Sequence, residues 1–466
     1  MKSEVYMTAA EPAYGQFPYD RADDPVLPAL RRLWSAWDCD PDNPFRAWLG
    51  PGGTAVIKPN WVMDYNPLGH SLDSLVTHTS LIRHMIHACA AAMNGLGTVI
   101  IGDSPLQGCN FATLMQLSRM TELLETVTQQ FPGLKLEVQD WRSTVLHRQG
   151  KMTGCPTSSQ AGRTDEEYEP VDLGRDSFLE EISDYAKDFR VTMYRPSVML
   201  AHHGTGRHEY LLVKRALDTD LFINLPKLKT HVKAGLTGAM KNLVGICGRK
   251  ESLPHHIRGS YFDGGDCYCT GNAFSRWADR LYDRWWEDYA KMSVPMRVAY
   301  ATAHRLLKAA AIGAGGGMIS GGSWSGNETL WRMVLDLNHL VYFGRKTPKH
   351  IITVVDGIIA GEGQGPVKPS PRAAGLLLGG ENPACIDAVL TRIIGYNLSR
   401  IPMVYHALTH RKSRFATDIA ELKVVNTGQN GETKPLSLDQ VTRLDFEKPK
   451  HWRRAAIPAD SQSVQR

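Results

Sequence analysis

Residues 221–248 read Leu-Phe-Ile-Asn-Leu-Pro-Lys-Leu-Lys-Thr-His-Val-Lys-Ala-Gly-Leu-Thr-Gly-Ala-Met-Lys-Asn-Leu-Val-Gly-Ile-Cys-Gly. Leu221 to Leu225 is apolar except for Asn224, which is the pattern of a buried strand. Pro226 has no N–H with which to continue the ladder. Lys227, Lys229, His231 and Lys233 then alternate. Side chains of an extended chain repeat every second residue, so these four are expected on one side. Gly235 to Val244 reads as a short helix on which Thr237 and Lys241, four apart, share a face. A buried strand therefore runs into a row of cations and then a helix start. In open α/β sheets, ligands gather beyond the carboxyl ends of strands, and helix N-termini favour anions. The plainer alternative is a solvated basic edge strand.

The same arrangement recurs on both sides of this stretch. Thr54 to Ile57 is a short apolar strand ending in Lys58-Pro59-Asn60. Thr77-His78-Thr79-Ser80 supplies N-cap residue types before the apolar-periodic helix Leu81 to Leu96. His78 reads either as a capping-loop residue or as a ligand for an anion or a metal. Thr98 to Ile101 is the next strand, followed by Asp103 and Ser104. A crossover of this length predicts parallel strands. Ile351 to Val355 ends in Asp356-Gly357, and Glu362-Gly-Gln-Gly-Pro366 follows. The expected fold is α/β: a mostly parallel, Rossmann-like sheet flanked by helices, in one or two lobes, with a helical insertion.

The boundaries follow from composition. Residues 1–50 read as an N-terminal arm with a short helix, Pro28 to Trp37. The core is expected over 51–259 and 327–412. Residues 140–190 are polar and read as a flap or insertion. Residues 260–326 combine a helical, Trp- and Tyr-bearing part with a Gly-rich loop, and read as a lid or subunit contact. Residues 413–466 are polar, with a tail expected to be disordered.

The segment "INLPKLKTH…TGAMKN" resembles the signature of the domain of unknown function 362 (DUF362) family. "VIKPN" at 56–60, "THTS" at 77–80, "IIGDSP" at 100–105, "VVDGIIAGEGQGP" at 354–366 and "ACIDAV" at 384–389 extend the resemblance over most of 54–395. The resemblance implies no defined activity. Some members of that family carry a ferredoxin-like iron–sulfur module, but this chain has no Cys-x-x-Cys-x-x-Cys run.

At 466 residues, 42% hydrophobic and 22% charged, the composition is that of a globular protein. A net charge of +5 argues against a general nucleic-acid binder and leaves room for a local anion site. Eight scattered cysteines do not form a disulfide framework, and no signal peptide or membrane span is visible, so a cytoplasmic location is expected.

Together the strand tips predict one crevice. Lys58, Asn60, His78, Ser104, Lys227, Thr237, Lys241 and Asn242 are expected to bind a small anionic substrate or cofactor. Lys229 and His231 are the candidates for proton transfer, and His255 or His256 is a further acid–base candidate. Asp103, Asp356 and Glu362 are the oxygen ligands expected if a divalent metal is used. The chemistry expected is proton transfer of the isomerase or epimerase kind. The alternative is a non-enzymatic carrier of a metal, an iron–sulfur cluster or an anionic cofactor.

Overall fold

The computed structural model describes residues 1–20, 24–146, 156–158, 165–317 and 321–455. Eleven strands join one sheet: β1 (Glu4–Ala9), β2 (Thr54–Pro59), β3 (Gly97–Asp103), β4 (Leu134–Asp140), β5 (Leu221–Leu225), β6 (Lys227–His231), β7 (Gly235–Thr237), β8 (His350–Gln364), β9 (Lys368–Gly380), β10 (Lys423–Thr427) and β11 (Thr433–Leu436). The order is β11-β10-β1-β9-β8-β5-β2-β3-β4, and β8, β5, β2, β3 and β4 run parallel. The strands of both halves of the chain enter this one sheet, not two lobes.

The parallel strands are buried on both faces, as their continuous apolar runs require. Ala55, Ile57, Val99, Ile101, Leu221 and Ile223 face one core, while Val56, Ile100 and Phe222 face the other. Helices α1 (Val26–Ala36) and α2 (Thr79–Ala92) cover the first core. A single turn, α3 (Ala239–Asn242), follows β7. Helices α4 (Ala273–Asp288) and α5 (Val294–Gly313) pack on each other within the insertion. Helices α6 (Leu330–Phe343) and α7 (Pro383–Ile394) cover the second core.

Several expectations are corrected. The N-terminal arm is part of the sheet: β1 pairs antiparallel with β9 and parallel with β10, which the C-terminal segment supplies. The expected helix over Gly235 to Val244 is three pieces: β7, α3 and a 3-10 turn at Leu243–Ile246. Gly235 adopts φ +84°, which ends any regular element there. The pairing of β6 with β8 shifts register between Lys227 and Lys229, with the extra residues on β8. The expected disordered tail lies at 456–466, outside the described residues, as do 147–155 and 159–164 of the expected flap and 318–320 of the Gly-rich loop. No helix among the described residues is long and apolar enough to cross a membrane.

Register is what builds the site. Ile57 lies opposite Ile101, and Lys58 lies opposite Asn224. The strand ends at Lys58, Asp103 and Asn224 are therefore neighbours, although they are far apart in the chain.

Candidate functional site

Beneath the strand tips lies an ion pair. Lys58 Nζ donates to Asp103 Oδ1 at 2.7 Å, with both side chains buried. Asp103 also accepts from the backbone N–H of Ser104 (2.8 Å) and of Trp61 (2.7 Å), so one carboxylate fixes the exits of both β2 and β3. Asn242 extends the network. Its Oδ1 accepts from Asn60 Nδ2 (3.0 Å) and from Lys58 Nζ (3.3 Å), and its Nδ2 donates to Asn224 Oδ1 (2.8 Å). This tie holds α3 against the tips of β2 and β5.

Two glycines of the 235–248 stretch have a packing reason. A Cβ on Gly245 would collide with Asp103 Oδ1 and stand 2.6 Å from Lys58 Nζ. A Cβ on Gly238 would collide with Asp387 Oδ1. The buried Asp387, on α7, accepts from the N–H groups of Ala239 (2.6 Å) and Met240 (3.0 Å) and so holds the start of α3. Burial pushes the Asp387 carboxyl up to about 7.

Above this floor is a cavity of about 530 Å³, and Asn60, Asp103, Ser104, His231, Thr237, Lys241 and Asn242 all line it. Lys233, Lys250 and His255 line it too. Asp103, already bound to Lys58, is the one carboxylate among the described lining residues. Asn60 Oδ1, Ser104 Oγ, Thr237 Oγ1, Gln107 Oε1 and Trp61 Nε1 are buried and have no hydrogen-bond partner among the described residues. Buried polar atoms are normally paired, so a cluster of exceptions on one cavity wall points to a ligand.

The electrostatics agree. Burial, followed by repulsion from Lys250, Lys233 and Lys58, lowers Lys241 to about 7. Burial lowers Lys233 to about 8. Burial, together with nearby Lys58 and Arg142 and against the pull of Asp103, lowers Lys250 to about 8. Lys233 Nζ donates to Thr192 Oγ1 at 2.9 Å, whereas Lys241 Nζ has no hydrogen bond or ion pair among the described residues.

The two imidazoles are held in opposite tautomers. His231 Nδ1 accepts from the N–H of Lys233 (3.0 Å) and of Ala234 (3.1 Å), which places its proton on Nε2. His255 Nδ1 lies 2.7 Å from the carbonyl of Leu253, which places its proton on Nδ1 and leaves Nε2 as an acceptor. These assignments follow from the hydrogen-bond partners. Burial and the neighbouring lysines hold both rings well below the usual histidine range, so both are neutral.

Other expected site residues are held elsewhere. Lys58 is sealed under the floor. Lys227, opposite Asp356 in the register, donates to Asp356 Oδ2 (2.8 Å) and to Tyr14 Oη (2.7 Å), and Tyr14 donates to Asp356 Oδ1 (2.6 Å). This closed trio, with Lys227 and Asp356 fully buried, is a structural clamp on the arm, not an anion site. Lys229, expected to be the base, is fully buried and donates to the Leu75 carbonyl. His78 caps α2, accepting from Ser80 N–H at 3.2 Å, and stacks on Tyr14 with ring centroids 3.7 Å apart. Glu362 accepts from Glu447 N–H at 2.9 Å. No three metal-ligand side chains lie together among the described residues, so Asp103, Asp356 and Glu362 do not form one metal site. Lys233 was visible as the last member of the alternation. The place of Lys250 and His255 depends on the chain folding back after Cys247, which no local pattern announces.

Comparison with known proteins agrees with this stretch being the centre of the molecule. Residues 172–392 match the family model of the domain of unknown function DUF362. A thylakoid-associated protein of Synechocystis sp. is 26% identical over 191 residues, 41% of this chain. The match covers 37% of that relative, little more than a third of its length. No solved structure matches.

Two outcomes test the site's construction. Asp356→Asn leaves Lys227 a buried charge without a counter-ion and is expected to cost about 3–5 kcal/mol in chemical denaturation while leaving anion binding intact. Gly245→Ala drives a methyl group into the Lys58–Asp103 pair. Phosphate binding measured by calorimetry is expected to be lost in this variant even under conditions where circular dichroism shows it folded.

Proposed function

We propose that this DUF362-family chain binds, at the strand tips, a small molecule bearing a carboxylate or phosphate and transfers a proton on it, as an isomerase or epimerase does. The observation that supports this is the cation excess: Lys233, Lys241 and Lys250 face a cavity whose single described carboxylate is already neutralised by Lys58. Like charges gathered without counter-charges are unfavourable in the ligand-free protein and complementary to an anion. Asn60, Ser104 and Thr237 supply the neutral contacts.

Burial first, and the neighbouring lysines second, keep His255 from accepting a proton; an anion that offsets the lysines removes the second cause, which makes its Nε2 the candidate general base. His231 Nε2–H is the matching donor. Two groups of opposite role at one cavity are what moving a proton from one atom to another needs. The proton-transfer role proposed for Lys229 thus passes to His255, and His231 keeps its part.

A non-enzymatic carrier of an anionic cofactor is the second reading, because the unpaired cavity atoms serve binding as well as turnover. Incubation with a panel of small carboxylates and phosphate esters in D₂O separates the two. Deuterium incorporation that His255→Gln abolishes, with binding retained, supports an enzyme. Binding without exchange across the panel supports a carrier.

We place the protein in the cytoplasm; none of the described cysteines forms a disulfide. The thylakoid-associated relative argues for a membrane surface instead, and cell fractionation separates the two. The exposed apolar face of α5, with Val294, Val298, Leu306 and Ile312 each more than half exposed, is where we place a subunit contact. Leu306→Glu is expected to turn a sedimenting dimer into a monomer.

The pH dependence has a definite sign. Between pH 7 and 10.5 the unfolded chain holds a proton on Lys241 that the ligand-free native state has lost. Stability therefore rises with pH across that window. Anion affinity runs the other way, falling as Lys241, Lys233 and Lys250 lose their protons between about pH 7 and 8. Phosphate binding at pH 8 is expected to take up protons, read as a dependence of calorimetric heat on buffer ionisation enthalpy. Lys241→Met is expected to weaken phosphate binding by roughly 1.5–3 kcal/mol, about 10- to 100-fold, and to reduce the proton uptake.

A further inference from the structure

The cavity is larger and more apolar than a small anion needs. At about 530 Å³ it falls in the size range of pockets that enclose ligands much larger than a phosphate or acetate ion. Asn60, Asp103, Ser104, Thr237, Lys241 and Asn242 form its floor, on the strand tips and α3, and Lys233, Lys250, Gln107, Thr192 and Tyr194 are further polar groups of the lining. Away from the floor its lining includes Val62, Met63, Leu106, Val191, Met193 and Val367. Val62 and Met63 are buried, whereas Leu106 and Met193 are 40% and 39% exposed. An apolar wall thus runs outward from the cationic floor to two exposed apolar side chains at the mouth. The wall is firmly built. Leu106 N–H donates to the Val62 carbonyl at 3.1 Å, and Arg142 Nη1 holds the Leu106 carbonyl at 2.8 Å. Lys233 ties the opposite wall through Thr192.

A phosphate or a two- or three-carbon acid against the lysines would leave this wall facing water. An apolar body on the same anion would remove it from water, and binding pockets of this size are typically apolar with a few convergent polar groups. We infer that the ligand is an amphiphilic anion: a carboxylate or phosphate head on Lys241, Lys250 and Lys233, joined to a hydrocarbon or aromatic body along the Val62–Leu106 and Val191–Met193 walls. This rests on the anion-binding reading above and adds the chemistry of the rest of the molecule.

The test is calorimetry with inorganic phosphate, butyl phosphate and hexyl phosphate, and with acetate and hexanoate, at pH 6.5 and low salt. Affinity is expected to rise with chain length, by up to about fourfold for each methylene buried, and by at least about tenfold from phosphate to hexyl phosphate. Leu106→Ser, at the partly exposed mouth where folding is least at risk, is expected to cut hexyl phosphate affinity severalfold and leave inorganic phosphate unchanged. Lys241→Met is expected to weaken every member of the series by a similar factor; Lys250→Met serves in its place if that variant does not fold. Equal affinity for phosphate and hexyl phosphate overturns the amphiphile and leaves the anion site standing. Tight binding of hexyltrimethylammonium, which has the chain and the wrong charge, overturns the amphiphilic anion in favour of a merely greasy cleft. No binding of any phosphate or carboxylate overturns both readings.

Discussion

The Lys58–Asp103 pair is the constraint on which the site depends. Two charges buried at the ends of adjacent parallel strands are costly unless every lone pair and proton is engaged. Here they are. Asp103 takes Lys58, Ser104 N–H and Trp61 N–H, and Lys58 also donates to the Pro59 carbonyl at 2.9 Å. The pair fixes where β2 and β3 end and aims Trp61 and Ser104 at the cavity. It also demands a glycine at 245, because any Cβ there would enter the pair. The ordering of the floor is thus an electrostatic requirement carried into backbone geometry.

The molecule treats its lysines in two ways. Lys58 and Lys227 are matched with carboxylates and sealed in, each holding a distant segment to the sheet: the β3 exit in one case, Tyr14 of the arm in the other. Lys241 and Lys250 have no carboxylate of their own and face the cavity. The matched pairs serve stability and placement. The unmatched cations carry a charge excess that the fold holds in place and a ligand relieves. That division explains how a basic stretch is both a core element and a candidate site.

Much of this was legible in the residues. The α/β class, the parallel strands and the polar strand tips follow from apolar runs that end at Lys58, Asp103, Asn224 and Asp356. Asn60, Ser104, His231, Thr237, Lys241 and Asn242 were expected at a shared pocket, and they line one. Lys227, Lys229, His78, Asp356 and Glu362 were expected there and are engaged elsewhere. Alternation sets the side a residue faces and not the partner waiting there: Lys227 meets Asp356, and Lys229 meets the Leu75 carbonyl.

The sequence by itself determined the parallel strands of the core, that their carboxyl ends carry ions, and that one stretch is richest in cations. These are local properties, set by side-chain period and backbone chemistry. Only the tertiary structure decided which cation meets which carboxylate. Ion pairing depends on register between strands distant in the chain: Lys227 lies opposite Asp356, 129 residues on, and Lys58 at the exit of β2 meets Asp103, 45 residues on. The lysines left without a partner after that matching define the site, and a pattern within ten residues carries no information about it.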